Sequence, residues 1–156
     1  MSFEEIYKTY WQKIFRLCMG YLNDFELAQD LAQDTFVIVW RQLPKFRNEA
    51  SIGTWIFKIA SNNCLRQIEK TKRFPKTDLP LNLTIESQPS LEPQIRFLYN
   101  CIAELPETDR IIISLELEDI KQAEIANIVG LSETNIRVRV HRIKKKLTQK
   151  FKENER

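Results

Sequence analysis

Residues 122–151, QAEIANIVGLSETNIRVRVHRIKKKLTQKF, decide how this chain is read. The stretch opens on a short amphipathic segment with Ile125, Ala126, Ile128 and Val129, then passes Gly130 into a longer basic one. In that second segment Ile136, Val140, Ile143 and Leu147 recur at i, i+4, i+7 and i+11, the spacing of one buried helical stripe. Advancing ~100° per residue from Ile136 places Thr134, Val138, His141, Arg142 and Lys145 on the opposite side, with Asn135 and Arg137 on its flanks. Ser132 is a good N-cap residue, and Gly130 supplies the backbone freedom that a turn after Val129 needs. A helix, a tight turn and a second helix carrying hydrogen-bonding and cationic groups on its free face make a helix-turn-helix, a DNA-reading device. A merely solvated basic helix is the alternative, but it does not account for the packing partner that the preceding segment provides.

Charge is distributed to match. Residues 131–156 hold nine Lys/Arg against three Glu, a net of +6, whereas residues 86–124 hold nine Asp/Glu against three Lys/Arg, a net of −6. The whole chain is only +3, so its basicity is concentrated at the second helix of the motif.

Working outward, helices are expected over roughly 91–104, 107–118, 121–129 and 133–150. Before them Phe74 to Pro93 contains four of the six prolines and little helical periodicity, which reads as an extended linker. The alternation of Leu79, Leu81, Leu83 and Ile85 also fits a short edge strand. Towards the N-terminus, Phe3, Ile6, Tyr7, Tyr10, Ile14, Leu17, Cys18 and Tyr21 fall at helical spacings over residues 3–22. Asn23 and Asp24 interrupt that helix, and Asp24 caps a second one from Phe25 to about Leu43, before Pro44. A third helix, capped by Ser51 or Thr54, runs toward Lys72. The expectation is an all-α chain of two small helical domains joined by a flexible, proline-marked linker.

With 156 residues, 43% of them apolar, the chain can bury one ordinary core or two small ones. It has no apolar run long enough for a bilayer and no charged-then-apolar leader, so a cytoplasmic protein without direct membrane insertion is expected. Cys18, Cys64 and Cys101 are odd in number and set among apolar residues, as buried thiols in a reducing compartment would be. One histidine and no paired Cys/His spacing leave no metal site, and the three glycines build no phosphate loop. No cofactor is expected.

Two further surfaces stand out. On the second helix, Ala28, Leu31, Ala32, Thr35, Val39 and Leu43 make one side, and Glu26, Asp30, Gln33, Asp34, Val37 and Arg41 the other. A solvated face could look like this, but a valine amid acidic and glutamine side chains suits a basic protein partner better. On the third helix Lys58, Asn62 and Arg66 follow one another at i, i+4 and i+8, with Thr54 and Trp55 near the same edge. Cations, an amide and an aromatic ring on a common face suit single-stranded nucleic acid, although Trp55 could equally be core.

Taken in order, FEEIYKTYWQKIFRLCMGYL, DFELAQDLAQDTFVIVWRQLPKF, TWIFKIASNNCLRQIEKTKR, LPETDRIIISLELEDIKQAEIANIVGLS and NIRVRVHRIKKKL closely resemble the extracytoplasmic-function (ECF) class of bacterial RNA polymerase sigma factors. Each block alone is weak; five in family order are specific, and they cover nearly all of the chain except the linker. The resemblance implies a three-to-four-helix sigma domain 2 over 1–74, a linker over 75–93, and a four-helix sigma domain 4 with its helix-turn-helix over 94–156. It implies core RNA polymerase as partner, through the largest-subunit clamp helices and the flap, with Asp30, Gln33, Asp34 and Val37 docking on the clamp helices. It implies capture of a flipped minus-ten base by the loop from Phe46 through Arg47 and Asn48 to Ile52 together with Asn62, with Trp55, Lys58 and Arg66 alongside the melted strand. Thr134, Asn135, Arg137, Val138, Arg139, His141, Arg142 and Lys145 would then face the minus-thirty-five duplex. Arg139 lies nearer the buried side and suits a phosphate contact. A cognate anti-sigma factor is expected too, covering the acidic face of the second helix and part of the recognition helix, and able to hold the chain at the inner membrane face. The chain departs from the family in the turn EDIKQAEIA, where a glycine and an aromatic residue are frequent, and at Val138, where many relatives carry a small polar residue. An exposed valine suits a thymine methyl.

Two other function classes compete. A conventional regulator with a dimerising or sensing N-terminal domain leaves the second- and third-helix faces without purpose. An enzyme acting on nucleic acid needs clustered carboxylates or a metal, and Asp30 and Asp34, one turn apart on a convex face, do not supply them.

Overall fold

The structure, a computed structural model, describes residues 2–66 and 92–155. All its regular elements are helical: α1 (Phe3–Leu22), α2 (Phe25–Gln42) and α3 (Ile52–Arg66), then α4 (Pro93–Ala103), α5 (Glu107–Leu117), α6 (Gln122–Val129) and α7 (Glu133–Asn154). The expected linker, its edge-strand alternative and the run of the third helix toward Lys72 lie outside the described residues.

Helix ends follow local chemistry. Ser2 and Glu5 form a capping box at the start of α1, each side chain accepting from the other's backbone N–H at 3.2 and 3.1 Å. Asn23 closes α1 in the left-handed region, and the Asp24 carboxylate accepts from the Leu27 N–H at 2.9 Å to open α2. Pro44 sits within a 3-10 turn, Leu43–Lys45, that leads the chain off α2. Of the two capping candidates for α3, Ser51 has the role: its Oγ accepts from the Thr54 N–H at 3.1 Å and donates to the Thr54 hydroxyl at 2.9 Å. At the end of α6, Gly130 adopts φ 77°, and the N–H groups of Gly130 and Leu131 both close on the Ala126 carbonyl at 2.9 and 3.1 Å. Ser132 then accepts from the Asn135 N–H at 3.1 Å, starting α7.

In the N-terminal unit α2 lies against both α1 and α3, and every residue from Leu31 to Val37 is buried. In the C-terminal unit Ile136, Val140, Ile143 and Leu147 bury the expected stripe of α7 against a layer made by α4, α5 and α6. The two units are packed together. Helices α4 and α5 lie on α1, α6 lies on α3, and the buried apolar side chains form one continuous cluster.

This docking makes α1 a helix with neighbours on two sides, which a single stripe does not convey. Met19 and Gly20, outside the expected stripe, are buried, whereas Tyr7 and Tyr10 are only half-buried. A β-carbon on Gly20 would stand 2.1 Å from the Ser114 Oγ of α5, so glycine is what lets the helices meet there. Polar contacts flank this crossing. Arg16 donates through Nε and Nη2 to the two carboxylate oxygens of Glu118 at 2.8 and 2.7 Å. Arg110 donates to the Tyr21 carbonyl at 2.7 Å with its guanidinium 4.7 Å from the centre of the Tyr21 ring, and Asn23 donates to the Asn100 side-chain oxygen at 3.0 Å.

Candidate nucleic-acid interface

The residues opposite the buried stripe of α7 form an open surface. Thr134, Asn135, Arg137, Val138, His141, Arg142 and Lys145 are all exposed, Val138 at 59%, so an apolar methyl pair stands among cations and hydrogen-bonding groups. That mixture can hold phosphates and read base edges together. Arg139 is different. It is half-buried, with Nη1 2.9 Å from the Asp109 Oδ1 and Nε 2.6 Å from the Asn135 Oδ1. Arg142 approaches the second oxygen of Asp109 at 3.5 Å while keeping most of its side chain in solvent. Asp109 itself, in the first turn of α5, is buried. Sequence reading missed it, because an acidic residue in a first helical turn is already explained by the helix dipole.

A second surface surrounds the start of α3. The Phe46 and Trp55 rings pack at 4.7 Å between centres, which fixes the loop after α2 onto α3. Arg47 and Asn48 project from that loop, and Asn48 takes φ 58°, a left-handed conformation that asparagine tolerates. Along α3, Lys58 and Arg66 are exposed and Asn62 half-buried, and their spacing sets them with Trp55 on one side of the helix, where the Phe46 ring packs. Trp55 is half-buried and packs its ring against Phe46. Asn63, turned the other way, is buried and donates to the Thr35 Oγ1 at 3.1 Å.

The third expected surface requires correction. Glu26 and Arg41 are exposed and Asp30 half-buried, but Gln33, Asp34 and Val37 are only 4, 6 and 1% exposed. The reason is the position of α2 between α1 and α3, which leaves little of its circumference for solvent. Val37 is core, and the two aspartates are engaged by interactions within the chain. An open acidic, valine-centred face is therefore absent from this conformation.

Cys18, Cys64 and Cys101 are buried free thiols. A hydrogen bond with Cys64, together with burial, holds the Cys18 thiol well above its ordinary value, and burial raises Cys101. Among the described residues no three His, Cys, Asp or Glu side chains cluster as metal ligands, and no helix is long and apolar enough to cross a membrane.

Comparison with known proteins finds likeness along the whole chain. Residues 6–74 match the family model of Sigma-70 region 2, and residues 97–147 that of Sigma-70, region 4. The chain is 30% identical to the RNA polymerase sigma factor YlaC of Bacillus subtilis (strain 168), over 99% of this chain and 96% of that protein. It is 25% identical to the ECF RNA polymerase sigma factor SigW of the same organism, over 97% and 90% of the two chains. Among solved structures it resembles the sigma factor RpoE in complex with the anti-sigma factor NepR from Bartonella quintana, with a TM-score of 0.76, 21% identity and 96% of each chain covered. CnrH in complex with the cytosolic domain of CnrY is similar at a TM-score of 0.68 and 18% identity, over 96% of this chain and 87% of that one.

Proposed function

Because the chain belongs to the ECF class of bacterial RNA polymerase sigma factors, non-catalytic subunits that direct the polymerase to promoters, we propose that its surfaces divide the promoter between them. Residues 1–74 act as the core-binding and minus-ten unit, 94–156 as the minus-thirty-five unit, and 75–93 as the connection. The free face of α7 enters the major groove of the upstream duplex. Phe46, Arg47, Asn48 and Asn62 receive an extruded minus-ten base, while Trp55, Lys58 and Arg66 track the strand beside it. Capturing that base offsets an unstacking cost of a few kcal/mol, which is how binding alone drives melting.

The observation that carries this reading is the two-sidedness of α7: four apolar residues buried in packing and, opposite them, a largely polar and cationic row with Val138 facing solvent. On α2, Asp30 is the member of the docking set that reaches solvent, with Glu26 and Arg41 beside it. Docking of Gln33, Asp34 and Val37 on the polymerase clamp helices requires rearrangement around α2. A partner such as the anti-sigma factor bound to RpoE would act by holding the chain in its packed form.

Run-off transcription from a promoter library, with core polymerase and with or without this protein, tests the proposal. Transcripts from defined start sites only when the protein is present are expected. Absence of stimulation, with no co-elution on core polymerase, would count against it, and dimeric binding to paired duplex half-sites would favour a conventional regulator instead.

A further inference from the structure

We propose that Asp109, which lies outside the recognition helix, determines which base edge that helix reads, acting as a positioning residue through Arg139 on Asn135; this rests on the assignment of α7 to the upstream duplex. The connection is continuous. The buried Asp109 carboxylate accepts from the Arg139 Nη1 at 2.9 Å, and the Arg139 Nε donates to the Asn135 Oδ1 at 2.6 Å. A guanidinium has donors only, so it is the amide oxygen of Asn135 that faces it, and the amide nitrogen is left for the groove.

The consequence is chemical. An asparagine with both amide atoms free pairs bidentately with adenine, accepting from N6 and donating to N7. With one lone pair of its oxygen held by Arg139 and the amide orientation thereby fixed, Asn135 presents its nitrogen foremost, which favours the guanine O6 and N7 or the thymine O4 over the bidentate adenine pair. Arg139, in turn, spends its charge on Asp109 instead of a phosphate. The sequence expectation of a phosphate contact by Arg139 therefore gives way to a role inside the protein. Two properties follow from one carboxylate: a restricted base preference, and one cation withheld from sequence-independent binding.

The test uses the full chain assembled with core polymerase and a library of duplexes randomised across the upstream element, with binding to unrelated duplex measured at several salt concentrations. Wild type is expected to select guanine or thymine at the position opposite Asn135. Asp109→Ala is expected to shift that position toward adenine by about tenfold, the scale of one good bidentate contact. It should also tighten binding to unrelated duplex and steepen its salt dependence by about 0.9, the increment for one more phosphate contact. Asp109→Asn, whose amide oxygen can still accept from Arg139, should keep the wild-type preference. A uniform loss of affinity with the preference unchanged would overturn the relay. Should Asp109→Ala fail to fold, Arg139→Ala, which frees the Asn135 oxygen directly, should shift the preference toward adenine likewise but without the tighter binding to unrelated duplex, and an unchanged preference there overturns the relay equally. A wild-type holoenzyme with no upstream base preference at all would instead overturn the assignment of α7 on which the relay depends.

Discussion

At Gly130 the difference between hydrogen and methyl decides how well the DNA-reading unit holds together. Its φ of 77° is left-handed, and a β-carbon there would meet nothing within 4 Å, so the cost of a substitution is conformational and not steric. Gly130→Ala is expected to lower stability by about 1 kcal/mol, with Gly130→Asn milder, as thermal unfolding would read. Equal melting of all three proteins would contradict the left-handed turn. Cys18 offers a pH test. Its folded thiol is raised above the ordinary value of 9.0 by its hydrogen bond with Cys64 and by burial, so the folded state holds this proton more tightly than the unfolded state. The associated stability is full below the unfolded value and is lost as pH rises through the folded one. Denaturant midpoints should therefore fall above pH ~9, and Cys18→Ala should flatten that fall. At this scale Asp24, Ser132 and Gly130 were legible, because a cap or turn is written within three or four residues. Asp109 was not, since its partner Arg139 is 30 positions away.

Between elements, the joint of α2 and α3 contains a buried polar stitch. The Thr35 hydroxyl donates to the Leu31 carbonyl at 2.9 Å and accepts from the Asn63 amide at 3.1 Å. Thr35→Val would leave a buried amide donor without this acceptor, at a cost of about 1–3 kcal/mol. Asn63→Ala leaves the threonine donating as before and should cost less. The double variant should lose less than the sum, a coupling that a cycle of urea midpoints would measure; strict additivity would mean the bond contributes nothing. The stripe of α7 was legible as an element because its polar half faces solvent and its apolar half faces one layer. The polar half of α2 misled, because helix periodicity reports which side is most apolar and not whether a second helix covers the remainder.

For the molecule as a whole, the docking of the two units rests on a shared apolar cluster and on a small set of exchangeable polar contacts. Arg16 keeps 44% of its side chain exposed while Glu118 keeps 8%, so loss of the arginine strands a nearly buried carboxylate. Arg16→Glu is expected to separate the units, seen as a larger radius of gyration in solution scattering, and Glu118→Arg on the same chain should restore the wild-type value. Gly20→Leu should open the chain further, because the added side chain must displace α5 at Ser114. If none of these variants expands the protein, the packed arrangement is not held by this contact.

The sequence by itself determined the helical segments, the caps at Asp24 and Ser132, the helix-turn-helix and the two sides of α7, since each depends on neighbours within a few turns of the same chain. It also carried the family, through five blocks in order. Only the tertiary structure decided that α1 is covered on two sides, that Gln33, Asp34 and Val37 lie inside, and that Asp109 grips Arg139. These depend on which helix surface meets which, and a one-dimensional pattern holds that information only for the first neighbour a helix finds.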